Sequence, residues 1–230
     1  MERNRILSSL KDEERKLIRP YLTHVALKRQ DILCSSLAPI TSAYFPTSGM
    51  ITLVGQLHTG VSAEMASFGN DGVLGVLPCI GIPFAVTDGV VEVSGHAFRL
   101  PRAQLIALYL KSDTMRREVH RHITSLLFQA NLNNLCNVSH PLEQRICRLL
   151  LRAEHLTHTA SLELTHADIA NMLGAQRCTI SLIMKKLDKD ELVSRSRGCI
   201  VIRDRDGLVR NSCECHADWT DLQSKIRTVR

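Results

Sequence analysis

A chain of 230 residues, 44% of them hydrophobic, has length and apolar content for one or two domains with ordinary cores. Its 29 basic and 23 acidic side chains give a net charge of +6, which permits nucleic-acid binding without requiring it. No apolar run is long enough to span a bilayer, and Met1-Glu-Arg-Asn-Arg-Ile6 lacks the apolar core of a secretory signal. A cytoplasmic protein is therefore expected, and its eight scattered cysteines read as free thiols.

Residues 6–21 read as a short helical lead-in of mixed charge. From about Val25 to Pro101, glycine and proline are frequent, and short β-branched runs such as Met50–Val54 and Gly89–Val93 alternate with turn signals such as Gly69-Asn-Asp-Gly72. Short strands broken by turns predict a small β-barrel or roll. The charge is lopsided: Gln30 to Phe98 contains no Lys or Arg against five acids, whereas Pro141 to Arg230 holds 15 basic and 12 acidic residues. The basic function sits toward the C-terminus.

From Ala103 the period becomes helical. Met115, Val119, Ile123, Leu126, Ala130 and Leu135 recur mostly every three or four residues without an intervening glycine or proline. A helix this long suits a dimer seam, or else covers its own barrel. His140-Pro141 ends it, because the residue before proline resists helical geometry. Leu142 to Ala153 begins another amphipathic helix, with Ile146, Leu149 and Leu150 expected inward and Arg145, Arg148 and Arg152 outward.

The segment Leu164 to Leu187 carries most of the information. Thr165 has a hydroxyl suited to cap a helix, and Asp168 can bond back in a variant capping box. Ile169, Met172 and Leu173 make an apolar face, and Gly174 gives the backbone freedom for a sharp turn. Ile180, Ile183, Met184 and Leu187 then form a second inward stripe, opposite a short-chained basic face that suits a DNA major groove. Asp190 to Arg203 reads as strand, turn at Arg197-Gly198 and strand, a wing.

An acidic β-roll, a long helix and a winged helix-turn-helix, in that order, resemble the Crp/Fnr family of bacterial transcription regulators over nearly the whole chain. The resemblance is close at Leu164 to Leu187, at Tyr44-Phe-Pro-Thr-Ser-Gly49 and at Cys213-Glu-Cys-His216. The last two look like a branch whose roll lacks the cyclic-nucleotide signature. The resemblance implies an α+β fold: a cyclic-nucleotide-binding-like β-roll (1–112), a dimerisation helix (113–139), and a winged helix-turn-helix domain with a tail (140–230). It also implies a homodimer on an inverted-repeat operator in double-stranded DNA, with RNA polymerase as a further partner, no membrane partner and an unknown effector.

Arg177, in the first turn of the second helix, can place two N–H groups on guanine O6 and N7. The family often has Glu where this chain has Cys178 and Arg where it has Leu182, so its usual half-site does not transfer. Leu182 instead suits a thymine methyl, and Ser181 permits close approach. Thr165, Thr179, Lys185 and Arg197 suit backbone phosphates, although Lys185 and Arg197 also fit a solvated face. Cys178 is either a passive small residue or a redox-sensitive thiol at a helix N-terminus.

Cyclic-nucleotide binders of the family hold the phosphate with an arginine and the ribose with a glutamate after a glycine. Here Val73 follows Gly72, and residues 30–98 contain no arginine, so no tight cyclic-AMP binding is expected. No cofactor is expected either. Only Cys34 lies in the first 78 residues, too few ligands for an N-terminal iron–sulfur cluster, and His24, His58 and His96 read as solvent-facing or hydrogen-bonded residues rather than haem ligands. Cys213-x-Cys215-His216 has zinc-ligand types, but the spacing is tighter than Cys-x₂-Cys and no second pair is evident, so a tail packed on the winged domain is the reading. No nucleophile–base pair or oxyanion loop marks an enzyme. The alternative to a DNA-binding regulator is a ligand- or redox-responsive module acting through protein partners.

Overall fold

The computed structural model describes all residues except Glu2, Arg197, Val229 and Arg230, together with the side chains of all but Arg227 and Thr228 among those remaining. The chain forms two compact units, Met1–Leu53 with Ser67–Thr124, and Val54–Ala66 with Ser125–Arg230.

The first unit opens with the expected lead-in, which divides into α1 (Arg5–Ser9) and α2 (Asp12–Ile18). Asn4 caps α1, its Oδ1 accepting from the Leu7 N–H at 3.1 Å. The same side chain donates to the carbonyls of Pro46 and Gly72, so a fully buried amide is satisfied while tying the N-terminus to one strand and one loop. Strands β1 (Thr23–Leu27), β2 (Ile32–Cys34), β3 (Ser42–Gln56), β4 (Ser62–Phe68) and β5 (Asp88–Pro101) form one sheet in the order β1-β5-β3-β4, with β2 also on β5. β1 runs antiparallel to β5 from Thr23 opposite Arg99 to Leu27 opposite Gly95.

Two strands are longer than the sequence suggests, because Gly49 and Gly95 bend the chain without ending it. Gly49 has φ +82°, and a Cβ on Gly95 would lie 2.2 Å from the Ser48 carbonyl oxygen. Only glycine permits that approach. Ile6, Leu7, Phe45, Val73, Leu100 and Leu105, the last from α3 (Arg102–Lys111), build the core with Met115 and Val119 of α4 (Asp113–Ser139). These last two belong to the apolar stripe that suggested a dimer seam, and here they cover the roll. The exposed face of α4 is instead Thr124, Leu127, Asn131, Asn134, Leu135 and Val138.

The second unit takes up α4 from Ser125, adds α5 (Leu142–Thr157) and the hairpin tip 54–66, and continues through β6 (Ser161–Leu162), α6 (His166–Leu173), α7 (Arg177–Lys189), β7 (Val193–Ser196), β8 (Cys199–Ile202), α8 (Arg205–Arg210) and α9 (Cys215–Thr228). The three short strands form a sheet in the order β6-β8-β7. α5 buries Ile146, Leu149 and Leu150 as its period predicts. Its arginines correct the sequence reading. Arg148 and Arg152 are only 4% exposed, and Arg145 is half-buried, donating to the Leu173 carbonyl at 2.7 Å.

A buried polar network explains the inward arginines. The Arg152 guanidinium pairs with Glu64 and donates to Gln129 Oε1 at 2.6 Å, while Arg148 donates to Asn133 Oδ1 at 2.9 Å. Asn133 in turn donates to the Met65 carbonyl at 3.1 Å, and Gln223 of α9 donates to Ser125 at 2.9 Å. Buried charge is tolerated best when paired and hydrogen-bonded; both conditions hold at Arg152, while Arg148 is held by its hydrogen bond to Asn133. Trp219 of α9 is buried with the Arg152 guanidinium 6.0 Å from its ring centroid. The tail thus packs within the winged domain, as expected.

Candidate nucleic-acid interface

Local chemistry fixes the two helices. Thr165 Oγ1 accepts from the Asp168 N–H at 3.3 Å and Asp168 Oδ2 accepts from the Thr165 N–H at 2.6 Å, a reciprocal capping box. Gly174 closes α6 in the left-handed region at φ +60°, its N–H returning to the Ala170 carbonyl. Ile169, Met172 and Leu173 of α6 and Ile180, Met184 and Leu187 of α7 are buried, so the polar face of α7 is left outside.

That outward face holds the predicted readers. Arg177, Cys178, Thr179, Leu182 and Lys185 are all exposed, Leu182 at 71%, an unusual position for a leucine with no partner side chain to cover it. The side chains of Arg177 and Lys185 make no hydrogen bond or ion pair among the described residues, so both are available to an external anion or base edge. Gln176 precedes the helix without a side-chain cap, and the first turn carries no acid. Unsatisfied N–H groups and the positive end of the helix dipole therefore point outward beside Arg177.

Two predicted residues are engaged within the protein. The Thr165 hydroxyl donates to Asp168 at 2.7 Å, because the N-cap uses it, which leaves less for a phosphate than the sequence implies. Ser181 Oγ bonds the Arg177 carbonyl at 3.0 Å and His166 Nδ1 at 3.0 Å, leaving a small, half-buried surface consistent with close approach. Arg197 lies outside the described residues; the strands on either side of it in sequence pair from Val193 opposite Ile202 to Ser196 opposite Cys199. Cys178 Sγ has only long contacts, 3.6 Å to Gln176 and 4.0 Å to Thr179.

Sequence reasoning missed His166 and Gln176. Burial first, then the positive charges of Arg195 and Arg177, hold the His166 imidazole below its ordinary pKa. A phosphate brought to this corner would reverse the repulsion. Lys186, by contrast, is turned from the outward face toward Glu143, and its ion pair raises the ammonium pKa, while Arg195 is paired with Asp188 at 2.9 Å.

In the first unit, the position after Gly72 belongs to the core. Val73 is buried, its N–H donates to His122 Nε2 at 3.4 Å, and the space beside Gly72 is filled by the Phe68 and His122 rings. His24 and His96 stack on each other at 5.1 Å. They border a cleft of about 1010 Å³ that Arg3, Arg15, Lys16 and Arg19 make basic, so cations reach this unit from the lead-in helices although residues 30–98 supply none.

A β-roll joined to a capped helix pair and wing defines a class of architecture, the Crp/Fnr fold with a C-terminal winged helix-turn-helix. Residues 144–210 match the Crp-like helix-turn-helix domain family. The solved structures similar to the chain include FixK2 from Bradyrhizobium japonicum, 16% identical, with 84% of this chain and 98% of that one covered and a TM-score of 0.71. A transcriptional regulator of the crp/fnr family from Eubacterium rectale is 20% identical over 92% of this chain and 99% of its own, with a TM-score of 0.69. The c-di-GMP responsive global regulator CLP of Xanthomonas campestris is 14% identical over 84% and 99%, with a TM-score of 0.67. No curated protein matches by sequence. The chain therefore carries a Crp-like helix-turn-helix domain within a Crp/Fnr fold, and among the described residues no helix is long and apolar enough to cross a membrane.

Proposed function

We propose that the protein is a cytoplasmic, non-catalytic, sequence-specific transcription regulator that binds an inverted-repeat operator as a homodimer and works with RNA polymerase. The observation that carries this reading is the outward face of α7, where Arg177 and Lys185 stand unpaired beside an uncapped helix N-terminus and an exposed Leu182. Backbone N–H groups, Lys185, Thr179 and Arg197 hold phosphates and so fix register, while Arg177 reads a guanine and Leu182 covers a thymine methyl. Cys178 and Ser181 let the helix lie close to the base edges, and Thr165 supports the contact by holding the start of α6.

Dimerisation uses the exposed face of α4. Thr124, Leu127, Asn131, Asn134 and Val138 follow the alternating three- and four-residue spacing of a two-helix seam. Leu127 is 62% and Val138 82% exposed, so pairing removes apolar surface from water. Asparagines in such a seam cost stability but fix register and strand number. Cyclic AMP does not control the protein: the buried Val73 follows Gly72 where the family's nucleotide binders carry a glutamate, and residues 30–98 supply no arginine for a phosphate. Calorimetry with cyclic AMP is expected to give no micromolar binding.

Gel retardation on fragments selected from random DNA tests the reading. Specific complexes are expected to survive competitor DNA, and Arg177→Ala is expected to lose about 1–3 kcal/mol of discrimination, roughly 5- to 150-fold, while non-specific binding changes little. No retardation at low salt would sink the proposal.

A further inference from the structure

Four potential metal ligands meet in the second unit, at a site that the DNA-binding reading does not use. Cys136, His140, Cys213 and Cys215 bring their ligand atoms within 4.8 Å of one another, with all three cysteines buried. Cys136 and His140 stand four residues apart, on one face at the end of α4. Cys213 comes from the turn before α9, 77 residues on from Cys136, and Cys215 is the first residue of α9. The tail motif thus acquires the second ligand pair that its sequence neighbourhood lacks.

The geometry points to a structural zinc site of Cys₃His type. A zinc ion ~2.3 Å from each sulfur and ~2.0 Å from the imidazole nitrogen sets tetrahedral ligand separations of about 3.5–3.8 Å. Cys136 Sγ lies 3.5 Å from Cys213 Sγ, and Cys215 Sγ lies 3.7 Å from His140 Nδ1. The imidazole is also oriented for the task. Its Nδ1 faces the sulfurs, while its Nε2–H donates to Glu214 Oε1 at 3.1 Å, the carboxylate–histidine arrangement that fixes the tautomer of a metal ligand.

Charge favours zinc as well. The three thiols bind as thiolates and release their protons to solvent, so the occupied site carries one net negative charge. Arg148 acts electrostatically on all three sulfurs and Arg145 on Cys136 and Cys213, so the excess is offset locally. Thiolate-rich tetrahedral sites select zinc or iron–sulfur centres, and a cluster with several irons needs its ligands farther apart than these. All four coordination positions are filled by protein, which marks a structural rather than a hydrolytic ion. The ion joins the end of α4 to the start of α9, and its binding energy is folding energy for this unit.

Elemental analysis of the full-length protein purified from zinc-supplemented cells tests the site. One zinc per chain is expected, released on treatment with a mercurial thiol reagent. Cobalt titration of the metal-stripped protein should give the visible bands of a tetrahedral thiolate site together with sulfur-to-cobalt charge transfer. Cys215→Ser should lose the metal. Because that variant also risks misfolding, His140→Cys provides a second reading, expected to retain one zinc with a shifted cobalt spectrum. Glu214→Gln, whose side chain is exposed, should weaken zinc binding about 10- to 100-fold without unfolding the chain. Substoichiometric zinc together with no cobalt bands, or a Cys136–Cys213 disulfide in the isolated protein, would overturn the assignment.

Discussion

Glu64→Ala removes one half of the buried ion pair that joins the hairpin tip to α5. The side chains of Arg152 and Glu64 are 5% and 7% exposed, so both charges have been taken out of water and are stabilised chiefly by each other. Losing one partner of a buried pair costs about 3–5 kcal/mol, because the remaining charge stays desolvated. Gln129, 2.6 Å from the guanidinium, remains, and the Trp219 ring adds at most about 2 kcal/mol as a cation–π partner, so the lower end of the range applies. A loss near 3 kcal/mol is therefore expected. Trp219 is the protein's single tryptophan and lies in this network, so its fluorescence during urea unfolding reports on the second unit directly. The double substitution Glu64→Leu with Arg152→Met replaces charges by apolar side chains of similar reach, and should recover most of the loss. If Glu64→Ala unfolds within about 1 kcal/mol of the wild type, the pair is not buried in the manner argued.

Other expectations concern the remaining sites. Lys185→Ala should weaken DNA binding by a similar factor on all sequences and reduce the slope of log K against log salt by about one, whereas an unchanged slope removes Lys185 from the phosphate contacts. Leu127→Asp should convert a dimer to monomers in sedimentation velocity, and a dimer of undiminished stability would exclude the α4 face as its seam. Burial lowers the His122 pKa to about 4, outweighing nearby Asp71, which raises it. The unfolded chain therefore binds the extra proton between that value and about 6.5, so this stability is complete above 6.5 and lost as pH falls toward 4. About 2 kcal/mol should disappear between pH 7.5 and 5, measured by circular dichroism in urea, and His122→Gln should flatten that difference. An equal pH dependence in both proteins would refute it.

The helix-turn-helix was legible because its determinants are local. Thr165, Asp168 and Gly174 act within one turn of themselves, and the outward face of α7 follows from the burial of Ile180, Met184 and Leu187. The inward turn of Arg148 and Arg152 was not legible, since Glu64 lies 88 residues from Arg152 and nothing near α5 announces a partner. On α4, periodicity left open a dimer seam or a cover for the roll. It selects the most apolar stripe, and that stripe divides between the roll's own core at Met115 and Val119 and outward positions such as Leu135. The largely polar face from Thr124 to Val138 has the right spacing but no hydrophobic signal. The ligand quartet was hidden for a related reason, as Cys136 and His140 look like ordinary residues of a long helix until the tail is folded beside them.

Residues 54–66 carry a lesson for anyone recombining chains of this fold. They are encoded inside the sheet domain, yet they fold with the helix-turn-helix unit, where Glu64 answers Arg152 and the Met65 carbonyl receives Asn133. A chimaera that replaced the β-roll wholesale, or a fragment begun at Leu142, would leave Arg148 and Arg152 of α5 facing a donor strand or solvent that had not evolved with them. A functional graft must bring its own hairpin tip along, or restore an acid opposite Arg152, so the transferable module is discontinuous in the gene.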